Sequence, residues 1–124
     1  MPDFPLTLEL LDDRTAYRPG EPIVGVAAWN VPNPIRQIEV HLCWHTEGRG
    51  TEDVSVVETV FFDNPSPTDA KPFHLTAPIG PYSYEGHLIA IHWAVELVGK
   101  GMKDIARLGV IISPSGESFG LPAT

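Results

Sequence analysis

Cysteine is nearly missing from these 124 residues: Cys43 is the only one, so no internal disulfide can form. Its place in an alternating apolar segment marks it as an inert, half-buried thiol and not a redox group. Positive charge is scarce too. Eight Lys and Arg stand against sixteen Asp and Glu, a formal charge of -8, and a surface of that sign repels phosphate backbones and anionic lipid headgroups. Nucleic acid and membrane surfaces are therefore poor partners. Long apolar runs are absent: nowhere do eighteen apolar residues follow one another. The N-terminus, Met1-Pro-Asp-Phe-Pro-Leu6, has neither a basic region nor an apolar stretch of signal-peptide length. The expectation is a protein without membrane insertion that stays in the cytoplasm. Helical periodicity is missing from every segment.

What is present is enough apolar material for one core. Apolar residues make up 43% of the chain and charged residues 19%, and this length suits one domain. The expected domain is 1–112. Residues 113–124, rich in Pro, Gly and Ser, read as a flexible C-terminal tail with Phe119 and Leu121 as its large apolar groups.

Apolar residues recur with period two, and turn residues punctuate every break. Leu6 to Leu11 opens as a strand. In Tyr17-Arg-Pro-Gly-Glu21, Pro19 and Gly20 occupy the central positions of an expected type II turn. Glu21 to Asn30 follows as a strand with Ile23, Gly25, Ala27 and Trp29 on one side and Val24, Val26 and Ala28 on the other, which leaves its inward face open. Val31-Pro-Asn-Pro34 stops it. In Ile38 to His45 the alternation is clean: Ile38, Val40, Leu42 and Trp44 face the core, and Glu39, His41, Cys43 and His45 face away. Glu47 to Thr51 is a polar connection, Asp53 to Asp63 a returning strand, and Lys71 to Thr76 a short one. Beyond the turn Tyr82 to Gly86, Ile89, Ile91, Trp93, Val95 and Leu97 share one face, and Met102 to Ile112 forms the last strand after Gly99-Lys-Gly101. About seven strands with turns at this spacing predict an all-β, immunoglobulin-like antiparallel β-sandwich. Trp29, Trp44 and Trp93 are expected where its two inner faces meet.

Tyr17-Arg-Pro-Gly-Glu-Pro-Ile-Val-Gly25 resembles the entry to the second strand of the arrestin N-terminal domain. Lys71-Pro-Phe-His-Leu-Thr-Ala-Pro78 is similar to that family's aromatic strand ending in Pro. Pro81-Tyr-Ser-Tyr-Glu-Gly86, followed by Ile89-Ala-Ile-His-Trp-Ala-Val95, resembles its later turn and alternating strand, so the likeness runs from about Leu6 to Ile112. The resemblance implies an arrestin-like, non-enzymatic binding or scaffold domain. Arrestins have two such sandwiches, and this length accommodates one. Their receptor-regulating members bind phosphorylated tails through basic residues near the first strand, where this chain has Glu9, Asp12 and Asp13 beside Arg14 and Arg18. Phosphopeptide binding is therefore not carried over.

The histidines are His41, His45, His74, His87 and His92. Positions four apart on a strand lie about 13 Å apart, so His41 and His45 cannot grip one ion. A metal site would need Cys43 with one of them and a cross-strand partner such as His92, which shares their outer side if the two strands are neighbours. Without paired Cys-x-x-Cys spacing, the expectation is no metal, no cofactor and no catalytic residue. Asp12-Asp13 and Glu52-Asp53 read as solvated turn residues. The functional expectation is an interaction module that binds a protein segment at a sheet edge or face. A self-assembling homo-oligomer is the alternative, and a small metal-binding domain or enzyme comes third.

Overall fold

The computed structural model describes residues 5–31, 35–48, 53–86 and 89–115, and the backbone of 119–120. Seven long strands carry the fold: β1 (Leu6–Leu10), β3 (Pro22–Asn30), β4 (Gln37–Gly48), β5 (Val54–Asp63), β6 (Thr68–Thr76), β8 (Ile89–Gly99) and β9 (Ile105–Ile112). Three two-residue strands, β2 (Ala16–Tyr17), β7 (Tyr84–Glu85) and β10 (Phe119–Gly120), complete it, and no α-helix occurs among the described residues. The smaller sheet has the order β1-β3-β6. The larger runs β10-β7-β8-β4-β5, with β9 also on β8 and β2 on β9. The expected all-β sandwich is what the chain forms.

The turn at 18–21 shows how local chemistry sets this topology. Gly20 takes φ +86°, and the Glu21 N–H donates to the Arg18 carbonyl at 3.1 Å, which is the type II arrangement that Pro19-Gly20 predicts. In β3 the open question of facing is settled: Ile23, Ala27 and Trp29 are buried, whereas Val26 lies at the surface. Gly25 decides it. A Cβ there would sit 2.2 Å from the Glu9 carbonyl and 2.7 Å from the Phe73 ring, so the inward side of β3 accepts nothing larger beneath Phe73.

Between the sheets, Ile38, Val40 and Leu42 of β4 meet Leu75 of β6 and Val95 and Leu97 of β8 in one cluster. Trp93 and Trp29 are buried and donate their indole N–H groups to the carbonyls of Pro81 and Ser66, both at 2.7 Å. Trp44 stays half-buried against Trp93, with ring centroids 6.5 Å apart. Burying such a ring is worth about 3 kcal/mol or more.

Several boundaries differ from the sequence expectation. Strand β6 begins at Thr68 and not Lys71, because the whole of β3 pairs with it, from Pro22–Thr76 to Asn30–Thr68, and its edge position tolerates Pro72. Glu47 and Gly48 extend β4, since Ala90 and Ile89 lie opposite to pair with them. Met102 to Asp104 remain outside β9; the Met102 N–H instead closes the preceding turn on the Gly99 carbonyl. Of the segment read as a tail, Ser113 is buried with its N–H on the Tyr17 carbonyl, and Phe119–Gly120 pair in parallel with Tyr84–Glu85. Residues 116–118 and 121–124 lie outside the described residues, as do the prolines at 32–34.

Candidate functional site

Strands β4 and β8 run antiparallel with Trp44 opposite Trp93 and His45 opposite His92. Because side chains alternate, this register puts the tryptophans on the core side and stacks the two histidines on the outer side. Their rings meet edge to face, 5.3 Å between centroids at 73°. Two residues further along the same face of β4, Glu47 places Oε1 3.2 Å from His45 Nε2 and 3.6 Å from His92 Nδ1. On the far side of His92, Glu85 Oε1 lies 2.5 Å from Nε2. All four side chains are partly open to solvent.

Topology explains why Glu85 can reach. The second edge of β8 is shared: β9 pairs with Trp93 to Val98, β7 pairs with Ala90 and Ile91, and His92 stands at the fork between them. A recess of about 300 Å³ opens there, lined in part by Ser83, Glu85, His92 and Val110. Ser83 is buried and fastens the fork, its hydroxyl accepting the Ile112 N–H at 3.0 Å.

The other residues considered from sequence fall elsewhere. His41 pairs with Glu39 at 3.2 Å, farther back along β4. Cys43 lies opposite Ala94, not His92, and is only 3% exposed. Its thiol contacts the Ala94 carbonyl at 3.6 Å; burial first, and then the Glu96 carboxylate, push its pKa up to about 11. Its place opposite Ala94 keeps it out of the group of ligand atoms that converge, which removes Cys43 from the metal combination weighed above. His74 is exposed on β6, and His87 and Glu52 lie outside the described residues. Asp12 and Asp13 sit exposed in a tight turn at φ +59° and +50°. Among the described residues, His45, Glu47 and His92 are the set whose ligand atoms converge, all within 4.8 Å of one another.

A second feature is the free edge of the larger sheet. Among the described residues β5 pairs with β4 alone, and Val54, Val56, Val57 and Phe61 are exposed along it, Val54 at 68% and Phe61 at 54%. Beside it a groove of about 480 Å³ separates β5 from β6, with Trp29, Phe61, Phe62, Asp63, Asp69 and Lys71 among its walls. The Glu58 carboxylate spans the two sheets by accepting the Thr76 N–H at 2.9 Å.

Comparison with solved structures matches this architecture to Spo0M, the sporulation control protein from Bacillus subtilis, at a TM-score of 0.60 over 87% of this chain. The two share a fold. That fold is arrestin-like, and the chain spans 48% of the length of the Spo0M chain at 17% sequence identity. No family model matches the sequence, and no curated protein does. At this identity the likeness to Spo0M concerns the fold alone. The arrangement of His45, Glu47, Glu85 and His92 stands on its own geometry.

Glu47 and Glu85 are the residues that sequence reasoning did not single out. Glu47 had a signal, since it follows His45 by two and so shares its face. Glu85 had none, because its place depends on a two-residue strand inside a turn.

Proposed function

We propose that this chain is a non-enzymatic protein-interaction domain, resembling a single arrestin domain, that receives an extended protein segment along β5. The free backbone edge with exposed Val54, Val56, Val57 and Phe61 carries this reading, because an unpaired strand offers main-chain hydrogen bonds and its side chains supply selectivity. The net charge of -8, with Asp53, Glu58 and Asp63 on or beside β5, favours a segment in which Lys or Arg flank apolar residues. The same charge disfavours nucleic acid and phosphorylated tails. Arg14, near the first strand, is already paired with Glu21 and stacked 4.5 Å over the Tyr17 ring. No helix among the described residues is long and apolar enough to cross a membrane, and a cytoplasmic location fits the lone protonated thiol.

Selection from a displayed library of extended peptides tests the proposal. Binders should slow amide exchange along Glu58 to Asp63, and Phe61→Lys should weaken the strongest of them by about tenfold or more. Protection confined to other strands, or binding indifferent to Phe61→Lys, would refute it.

Self-assembly is the second reading, favoured by the outward Val26 on the smaller sheet and by exposed Leu11 in the turn after β1, which line one shallow recess. A second copy laid there would cover both. Sedimentation as a strict monomer at micromolar concentration excludes it.

A further inference from the structure

Neutral imidazole has one N–H and one lone pair. In the outer-face cluster His92 Nε2 lies 2.5 Å from Glu85 and Nδ1 lies 3.6 Å from the Glu47 carboxylate, so the tautomer that donates Nε2–H to Glu85 turns its Nδ1 lone pair toward Glu47. Two acceptors therefore face each other. The same Glu47 oxygen lies 3.2 Å from His45 Nε2, so three potential donors of electron pairs converge from two strands. A cation placed among them would satisfy them. A proton joins one pair at a time, whereas a metal ion satisfies all three together.

We propose that His45 Nε2, His92 Nδ1 and Glu47 Oε1 form a binding site for a divalent transition metal of the zinc class, with Glu85 as the residue that orients His92. Mixed imidazole and carboxylate ligands suit zinc, nickel and copper better than calcium or magnesium. Bonds of about 2.1 Å in a tetrahedral site place ligand atoms about 3.4 Å apart. The two distances from Glu47 are already close to that value, and these partly exposed side chains, which bring one ligand atom each within 4.8 Å of one another, can close the third separation. A carboxylate on the remote imidazole nitrogen is the usual outer support of a metal-bound histidine, and Glu85 supplies it. Three protein ligands leave a position for water beside the recess at the β7–β9 fork.

Isothermal titration calorimetry of the untagged 124-residue chain with zinc chloride tests the site, with cobalt absorption reporting coordination geometry. One ion per chain should bind with a micromolar or tighter Kd. His45→Ala and His92→Ala should each weaken binding at least about tenfold, Glu85→Gln should weaken it about ten- to a hundredfold, and His41→Ala should leave it unchanged. Circular dichroism of each variant checks that the sandwich is intact. Absence of binding below millimolar zinc overturns the proposal. So does equal binding by His45→Ala or His92→Ala, or equal loss in His41→Ala. Full affinity in Glu85→Gln overturns the role given to Glu85.

Discussion

On the inner side of the β4–β8 ladder, Ile38, Val40, Leu42, Val95 and Leu97 are closed to solvent and belong to one apolar cluster. On the outer side of the same strands, Glu39, His41, His45, His92 and Glu96 keep some access to water, and each is paired: Glu39 with His41, His45 with Glu47, His92 with Glu85, Glu96 with Arg107. Backbone, register and length are common to both faces. The difference lies in what a substitution removes. Inside, a lost group leaves a cavity that close packing cannot refill. Outside, water takes over the partner's hydrogen bonds, so the polar side is free to vary its chemistry at little cost to stability.

The largest effect that should follow this division is at Trp93. Trp93→Ala should cost about 3–5 kcal/mol in denaturant unfolding, since it opens a ring-sized void and strands the Pro81 carbonyl. A cost under about 1 kcal/mol would erase the distinction between the faces.

Cys43 sharpens the comparison because it points outward and is nevertheless buried. The fold retains its proton to about pH 11, whereas an ordinary thiol releases it near 9. Between those values the unfolded chain has lost the proton and the native chain has not, so stability falls as pH rises through that window, by about 2 kcal/mol between pH 8 and 11. Unfolding midpoints at pH 8 and 11 in the parent and in Cys43→Ala measure it; the variant should lose that much less.

A smaller effect belongs to the ion pair next to that thiol. Arg107 is half exposed, so Arg107→Ala should cost no more than about 1 kcal/mol, and less in 0.5 M salt. It should also drive the Cys43 thiol still higher, because Arg107 opposes the influence of Glu96. Iodoacetamide labelling as a function of pH reports this shift. Smallest of all is His41→Ala, expected within about 0.5 kcal/mol of the parent in the same unfolding assay.

Period two made both faces of Ile38–His45 and Ile89–Leu97 legible from the amino acids alone, and with them the sandwich. Strand β3 was not legible in the same way, because Val24, Val26 and Ala28 are as apolar as the residues opposite them. Its facing depends on the contact between Phe73 and Gly25, far apart in sequence. The histidine pair was half visible. His92 was expected on the outer side beside β4, but whether it met Cys43 or His45 depended on a register set by Trp44 against Trp93, and a slip of two residues would change the answer. Glu85 depended on a two-residue strand that no periodicity can announce.

The ladder between β4 and β5 shifts between Leu42 and Cys43: Leu42 lies opposite Glu58, Cys43 lies opposite Val56, and Val57 is left over. Such a bulge breaks the reading frame of the strand. A segment laid along β5 in step with Asp63 to Glu58 meets the interruption at Val57 and falls out of step with Val56 and beyond. If β5 receives a strand as proposed, the bulge sets the length of the match, and only the stretch from Asp63 to Glu58 offers an unbroken frame.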